Sequence, residues 1–256
     1  MPASPLPPLD PAPVLLALDT ATERLHIALS VGAGEAGRTQ ALELAGGPQA
    51  SAGLLPALQS LLQAQGLGWP AVHAIAFGAG PGAFTGLRTA CSVTQGLALG
   101  LGVPVIALDT LMAVAEDARQ RSDKPLSAGE VAWVLQDARM GELYVAAFRW
   151  GGERWVVQTP PALWPLGEPR ARWASRGEGV LVCGNALSAC PAAWDGLLPN
   201  DIRVLAPDAM PRGAALAELA RQAWAHGEQV DAALALPRYV RDKVAQTTAE
   251  RAAAQA

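Results

Sequence analysis

The chain has 256 residues, 51% of them hydrophobic and 16% charged, enough to bury a sizeable core and too apolar for wholesale disorder. With 19 basic and 23 acidic residues its net charge is −4, which excludes the basic footprint of a stand-alone nucleic-acid binder. The cysteines, Cys91, Cys183 and Cys190, form no CxxC pair, which argues against a disulfide scaffold or structural zinc and for a reducing, cytoplasmic setting.

Residues 1–13 hold six prolines, no Lys or Arg and no apolar run, so they read as a disordered tail and not as a secretory signal. VLLAL (14–18), LHIALSV (25–31) and GRTQALEL (37–44) predict a three-stranded meander, with Gly32 and Gly34 in a turn. Leu54, Leu55, Leu58, Leu61 and Leu62 mark an amphipathic helix near 49–65. Pro56 inside it must lie near the first turn or kink the helix, because it has no N–H to give. HAIAFG (73–78) reads as a buried strand, followed by a Gly-rich turn, a helix over 84–101 and strand VPVIAL (103–108). Asp109 or Thr110 caps a helix running to about Arg119. The weakly polar stretch 89–108 divides at Gly102–Pro104 into helix and strand, so we expect no membrane span.

The second half repeats the first. AWVLQDARMGELYVAAF (132–148) lies over VLLALDTATERLHIALS (14–30) at an offset of 118, with Asp137 on Asp19. GVLVCGNA (179–186) echoes AIAFGAG (74–80), again strand, Gly, helix. Two related α/β halves follow, over 14–108 and 131–241, joined by a helix and loop at 109–130. A C-terminal helix over 211–227 belongs by chain order to the second half, with Pro211 in its first turn and Gly227 past its end. Residues 242–256 read as a frayed tail. Seven of the eight tryptophans lie between Trp133 and Trp224, which we read as larger core residues in the second half.

Asp19 ends a strand and opens DTAT, where it can hold a Mg–phosphate or cap its own turn. GAGPGAFTG (78–86) places Gly78, Gly80 and Ala83 on G-x-G-x-x-A. It follows the fourth strand, though, and Pro81 removes a donor from the cradle, so a rigid helix-positioning turn fits better. No GxxxxGK[ST] occurs, and the three histidines show no metal-ligand spacing. His26 and His73 read as structural, Ser51 and Thr85 as helix caps, and Asp137-Ala-Arg139 as a salt-bridged turn. From Leu44 to Leu108, 65 residues, the only charged side chain is Arg88. Charge depletion over two helices points to a protein–protein interface more than to a helix pair buried on all sides.

LLALDTAT, LLPALQSLL, the block IAFGAGPGAFTGLRTACSVTQGLALGLGVPVIALDTL, DARMGELYVAAF and PRYVR (237–241) together resemble the TsaB (YeaZ) family, over most of 14–241. The resemblance implies an ASKHA-type fold of two RNase H-like halves, as in actin, sugar kinases and Hsp70. It implies a non-catalytic subunit of the machinery that makes threonylcarbamoyladenosine in tRNA. Such a subunit pairs with a catalytic TsaD-type paralogue, is joined by a TsaE-type ATPase, forms a homodimer through the same helices, and meets tRNA only through the complex. No cofactor or metal is expected: the paralogue's H-x-x-x-H has no counterpart in GPQASAGLLPALQSLL. The chain departs from many relatives at Ala50 and Gly53, where they place a His and a Glu. The expected interface comprises Leu54, Leu55, Leu58, Leu62, Gln63, Pro81, Phe84, Thr85, Gly86, Arg88, Ser92 and Gly96. Asp19, Thr20 and Asp137 would line a vestigial nucleotide cleft. The alternative is an ASKHA kinase or ATPase that uses Asp19 and Asp137.

Overall fold

The computed structural model describes residues 12–32, 37–46, 50–173, 180–190 and 202–241. The expectations for residues 1–11, Gly34, the Ser51 side chain, Trp194 and 242–256 fall outside them.

Two five-stranded mixed sheets share one strand order. The first runs β3 (Arg38–Ala45), β2 (Arg24–Val31), β1 (Val14–Asp19), β4 (Ala74–Gly78), β5 (Val105–Leu108). The second runs β8 (Trp155–Pro165), β7 (Glu142–Trp150), β6 (Val131–Asp137), β9 (Val180–Cys183), β10 (Ile202–Val204). In each, a three-stranded antiparallel meander continues into two parallel strands. The repeat seen in the sequence is therefore structural, and Asp19 and Asp137 end equivalent central strands. Strand β8 carries Pro160 and Pro161, which an edge strand tolerates because its outer N–H groups have no ladder to join.

The central strands of each sheet are buried on both faces while the edge strands β3 and β8 are largely exposed, and side chains alternate between the faces with period two. On β1, Leu16 and Leu18 face an outer core while Leu15 and Ala17 face an inner one. The outer face of the first sheet carries α1 (Ala50–Ala64) and α2 (Phe84–Leu101), packed through Leu54, Leu58, Leu61, Leu62 and Ala90. Pro56 lies in the interior of α1 on its exposed side, beyond the first turn. Behind the second sheet lie only the short α4 (Glu168–Trp173) and α5 (Ala186–Ala189) among the described residues. The indoles of Trp133, Trp164 and Trp173 cluster there, with ring centroids 5.4–5.6 Å from Trp133. Large side chains thus fill volume that two long helices cover in the first half.

Between the sheets lie α3 (Thr110–Arg121) and α6 (Gly213–Ala225). They are exchanged relative to chain order: α3 follows the first sheet but packs on β6, β7 and β9. Helix α6 follows the second sheet but packs on β1, β2 and β3, against the grouping expected from chain order. It starts at Gly213, with Arg212 at the N-cap position making no side-chain cap bond, so Pro211 precedes its first turn. A Cβ on Gly213 would lie 2.5 Å from the Ile27 carbonyl oxygen, so the helix begins in direct contact with the sheet backbone.

Two buried carboxylates on α3 hold this middle layer. Glu116 accepts from Arg119 Nε and Nη2 (2.8 and 2.7 Å), Gln120 Nε2 (2.8 Å) and Trp155 Nε1 (2.9 Å). Asp117 accepts from the Met210 N–H (3.1 Å), Arg121 (3.3 Å) and Arg212, tying α3 to the start of α6. Trp155→Phe keeps an aromatic ring but removes one donor from a fully buried carboxylate. We expect a loss of about 1–3 kcal/mol in urea denaturation, with the fold retained.

Candidate functional site

The 78–86 loop is clamped onto the turn after β1. Asp19 is fully buried; its Oδ1 accepts from the Ala21 N–H (2.7 Å) and its Oδ2 from the Thr110 hydroxyl (2.9 Å). Thr110 Oγ1 in turn accepts from the Gly80 N–H (3.2 Å). The Thr20 hydroxyl donates to the Gly86 carbonyl (2.6 Å), and the Ala83 N–H to the Ala21 carbonyl (2.8 Å). The glycines are what allow this contact. A Cβ on Gly78 would lie 1.7 Å from Asp19 Oδ2, one on Gly82 2.5 Å from the Ala21 Cβ, and one on Gly86 1.8 Å from the Thr20 carbonyl oxygen.

Burial pushes the Asp19 carboxyl up to about 6, against the Ala21 N–H and the Thr110 hydroxyl, which pull it down. Both oxygens are engaged and no face is open, so Asp19 is the cap of its turn. The expectation that Asp19 and Thr20 line a nucleotide cleft is corrected: they lie beneath the loop, and the cleft is lined by Ala21 to Arg24 instead. Thr85 does not cap α2 either. Ala83 is the N-cap, without a side-chain bond, and the Thr85 carbonyl accepts from the Thr89 hydroxyl (3.0 Å). Asp109 does cap α3, accepting from Leu111 N (2.9 Å) and Met112 N (3.1 Å).

A cleft of about 610 Å³ opens between the halves, bounded by this loop, the β6–β7 turn and residues 238–241. Asp137 is among the residues that line it. Its Oδ1 accepts from the Arg139 N–H (2.8 Å) and its Oδ2 pairs with Arg139 (3.0 Å), the salt-bridged turn read from DAR. Four arginines line the cleft, and each already faces a carboxylate. Arg24 pairs with Glu43 (2.6 Å), Arg139 with Asp137 and Glu23, Arg238 with Asp109 (3.8 Å), and Arg241 with Glu142. Among the described residues no three His, Cys, Asp or Glu side chains converge as a metal site. No described helix is long and apolar enough to cross a membrane.

His26 is buried and structural. Burial pushes its imidazole down to about 4, opposed by Glu43 and reinforced by Arg212 and Arg24. His73 accepts from the Val14 N–H through Nδ1 (3.1 Å).

The third feature is the outer face of α1 and α2. Leu54, Leu58 and Leu62, expected at an interface, are buried in the chain's own core, and Pro81 is buried within the loop, on its cleft side. The helix has one inward stripe, and these leucines occupy it. The exposed surface instead presents Leu55 (45% exposed), Gln63, Thr85, Arg88, Ser92, Gly96 and Leu99 (64% exposed), with Phe84 and Gly86 half-buried. Leu99, Gly53 and Gly100 are exposed beside them. Arg88 lies 3.9 Å over the Phe84 ring and donates to the Tyr239 hydroxyl (3.2 Å). The role of Arg238, Tyr239 and Arg241 at the cleft was not legible in the PRYVR segment.

Duplicated 3-2-1-4-5 sheets with a helical layer between them define the ASKHA class of two RNase H-like halves. A solved structure of YeaZ from Pseudomonas aeruginosa superposes with a TM-score of 0.72 at 34% identity, covering 89% of this chain and 99% of that one. The tRNA threonylcarbamoyladenosine biosynthesis protein TsaB of Escherichia coli is 34% identical over 239 residues, 90% of this chain and 96% of that protein. Its Haemophilus influenzae counterpart is 42% identical over 130 residues, about half of each chain (51% and 51%). The family model described as TsaD, tRNA N6-adenosine threonylcarbamoyltransferase, matches residues 48–167. The chain belongs to the TsaB (YeaZ) family of tRNA threonylcarbamoyladenosine biosynthesis proteins.

Two glycines separate loop packing from surface. Gly86→Ala should lose about 1–3 kcal/mol or more in denaturation, since the clashing atom is backbone. Gly96→Ala, whose Cβ would meet nothing, should gain up to about 1 kcal/mol.

Asp19 and His26 give opposing pH dependences. Asp19, raised from 3.8 to about 6, contributes stability present below pH 3.8 and lost as pH rises through 6. His26, lowered from 6.5 to about 4, contributes stability present above pH 6.5 and lost as pH falls through 4. Each amounts to roughly 3 kcal/mol. Asp19→Asn removes only the first, so between pH 6.5 and 4 the variant should lose stability on acidification more steeply than the parent. Superimposable pH profiles in urea denaturation would contradict the buried, late-ionising Asp19.

Proposed function

We propose that this chain is a non-catalytic scaffold subunit of the threonylcarbamoyladenosine machinery, which pairs with a TsaD-type paralogue through the outer face of α1 and α2. In the paralogue's absence the same face makes a homodimer, since one isologous patch serves a second copy and a similar paralogue alike. A TsaE-type ATPase joins the assembly, and tRNA is met through the complex, in the cytoplasm. The outer face, nearly free of charge, carries the reading. It exposes Leu55 and Leu99 among glutamines and small residues, with Arg88 as its single charge, the composition of an interface core. Gly53, Gly96 and Gly100 support it, since a Cβ there would touch nothing within 4 Å in the chain. Each costs about 0.5–1 kcal/mol relative to Ala in a helix. A helix of the partner lying close against this face gives these glycines a steric reason that the monomer lacks. The cleft supports the non-catalytic part, because its arginines are neutralised and Asp19 is closed to solvent.

Gln63→Glu and Ser92→Arg test the face. Both sites are exposed, so the folded monomer should change by no more than about ±0.5 kcal/mol. In an interface each change buries an unpaired charge. Size-exclusion chromatography with light scattering, with and without the TsaD-type paralogue, should show folded variants that no longer associate. Assemblies left intact by both substitutions would end the interface assignment.

A further inference from the structure

Residues 237–241, the PRYVR segment, lie outside the hydrophobic cores, yet they are bonded at both ends. On the first half, the Arg238 N–H donates to the Ala79 carbonyl (2.6 Å), and the Arg238 carbonyl oxygen lies 2.5 Å from where a Gly80 Cβ would be. The Tyr239 ring stacks on Phe84, centroids 4.6 Å apart and planes at 29°, and its hydroxyl accepts from Arg88. On the second half, Arg241 donates to the Ala138 carbonyl (3.0 Å) and to the Glu142 carboxylate, and reaches Met140 Sδ (3.9 Å). These residues belong to the 137–142 turn, where Arg139 and Met140 both adopt positive φ (63° and 58°). Two consecutive non-glycine residues in that region persist only where the surroundings hold them. Arg241 is one such restraint, because it holds the Ala138 carbonyl at the start of this turn.

Apolar burial does not explain the placement of this segment. Leading into it, Ala232 and Ala235 are buried in the outer core, but Leu234 and Leu236 are 65% and 70% exposed, and within the segment Tyr239 is 44% exposed. A tail docked by hydrophobic contact would bury these side chains. What fixes it is the pair of polar anchors, one on each side of the cleft. The only other cross-cleft bonds among the described residues are between Arg139 and Glu23, both highly exposed, and a long one from the Tyr144 hydroxyl to the Gly82 carbonyl (3.4 Å).

We infer that residues 237–241 form an interlobe staple that sets the opening of the cleft and couples the first turn of α2 to the 137–142 turn. The α3–α6 layer joins the halves at the base, and the staple joins them at the mouth. This inference stands apart from the partner reading, although Phe84 and Arg88 place one anchor at the edge of the proposed face.

Amide hydrogen exchange on the full chain tests it, with Tyr239→Ala, the milder Tyr239→Phe, Arg241→Gln, and Arg172→Ala as a control that breaks an exposed ion pair elsewhere. Tyr239→Ala should speed exchange in the 137–142 turn about five-fold or more, although no bond links Tyr239 to that turn. Arg241→Gln should speed it both there and over 79–88. Tyr239→Phe should give a smaller change of the same sign, and Arg172→Ala none in either segment. Exchange in β1 and β6 stays at the parent rate if the variants remain folded, and Tyr239→Phe alone decides if the alanine variant does not. Acceleration confined to each variant's own anchor would overturn the staple.

Discussion

Asp19 ends the central strand of the first sheet with its carboxylate fully enclosed, and four parts of the molecule meet on it. Through Ala21 it closes its own turn, and through Thr110 it fixes the first residue of α3. Thr110 holds Gly80, which starts the loop leading into α2 and lies under the Arg238 backbone. An unpaired buried carboxylate is costly, so the geometry of these donors is specified and not merely permitted. Loop, helix starts and strap inherit their positions from one buried acid.

The second constraint is the exchange of α3 and α6 between the sheets. Each half covers the inner face of its sheet mainly with the helix that chain order would give to the other. The inner core is therefore shared, running from Leu15 and Ala76 through Val114 and Leu216 to Val134 and Phe148. The small residues on the inner face of the first sheet, Ala17, Ala28, Ala74 and Ala76, match the alanine-rich α6 and let it lie close. The asymmetry of the outer faces is consistent with different duties: two long helices with a bare surface on one side, and indoles under short helices on the other.

The same division separates the charged groups of the molecule from its bare surface. The cleft persists, with an aspartate at each equivalent strand end. One is consumed as a structural cap, and the other is neutralised by Arg139 two residues on. Charge in the cleft is balanced pairwise, whereas the outer helix pair carries almost none. Residues 237–241 touch both regions, stacking on Phe84 beside the outer face and bonding the Ala138 carbonyl at the cleft.

Much of this was legible in the chain itself. The meanders, the 118-residue repeat and the equivalence of Asp19 and Asp137 follow from period-two and period-3.6 patterns, which are local. The charge gap over 44–108 and the Asp109 cap were likewise visible, since each depends on residue type along a short stretch. Other features needed the tertiary structure. Which leucines of α1 face inward is set by the sheet they meet, and Leu54, Leu58 and Leu62 fell to the core while Leu55 stayed outside. The burial of Asp19 depends on Thr110, 91 residues away, and on glycines that only a close approach explains. The exchange of α3 and α6, and the reach of Arg241 to a turn about 100 residues earlier, arise from long-range packing. Periodicity fixes which faces are apolar, but only the assembled chain decides what those faces touch.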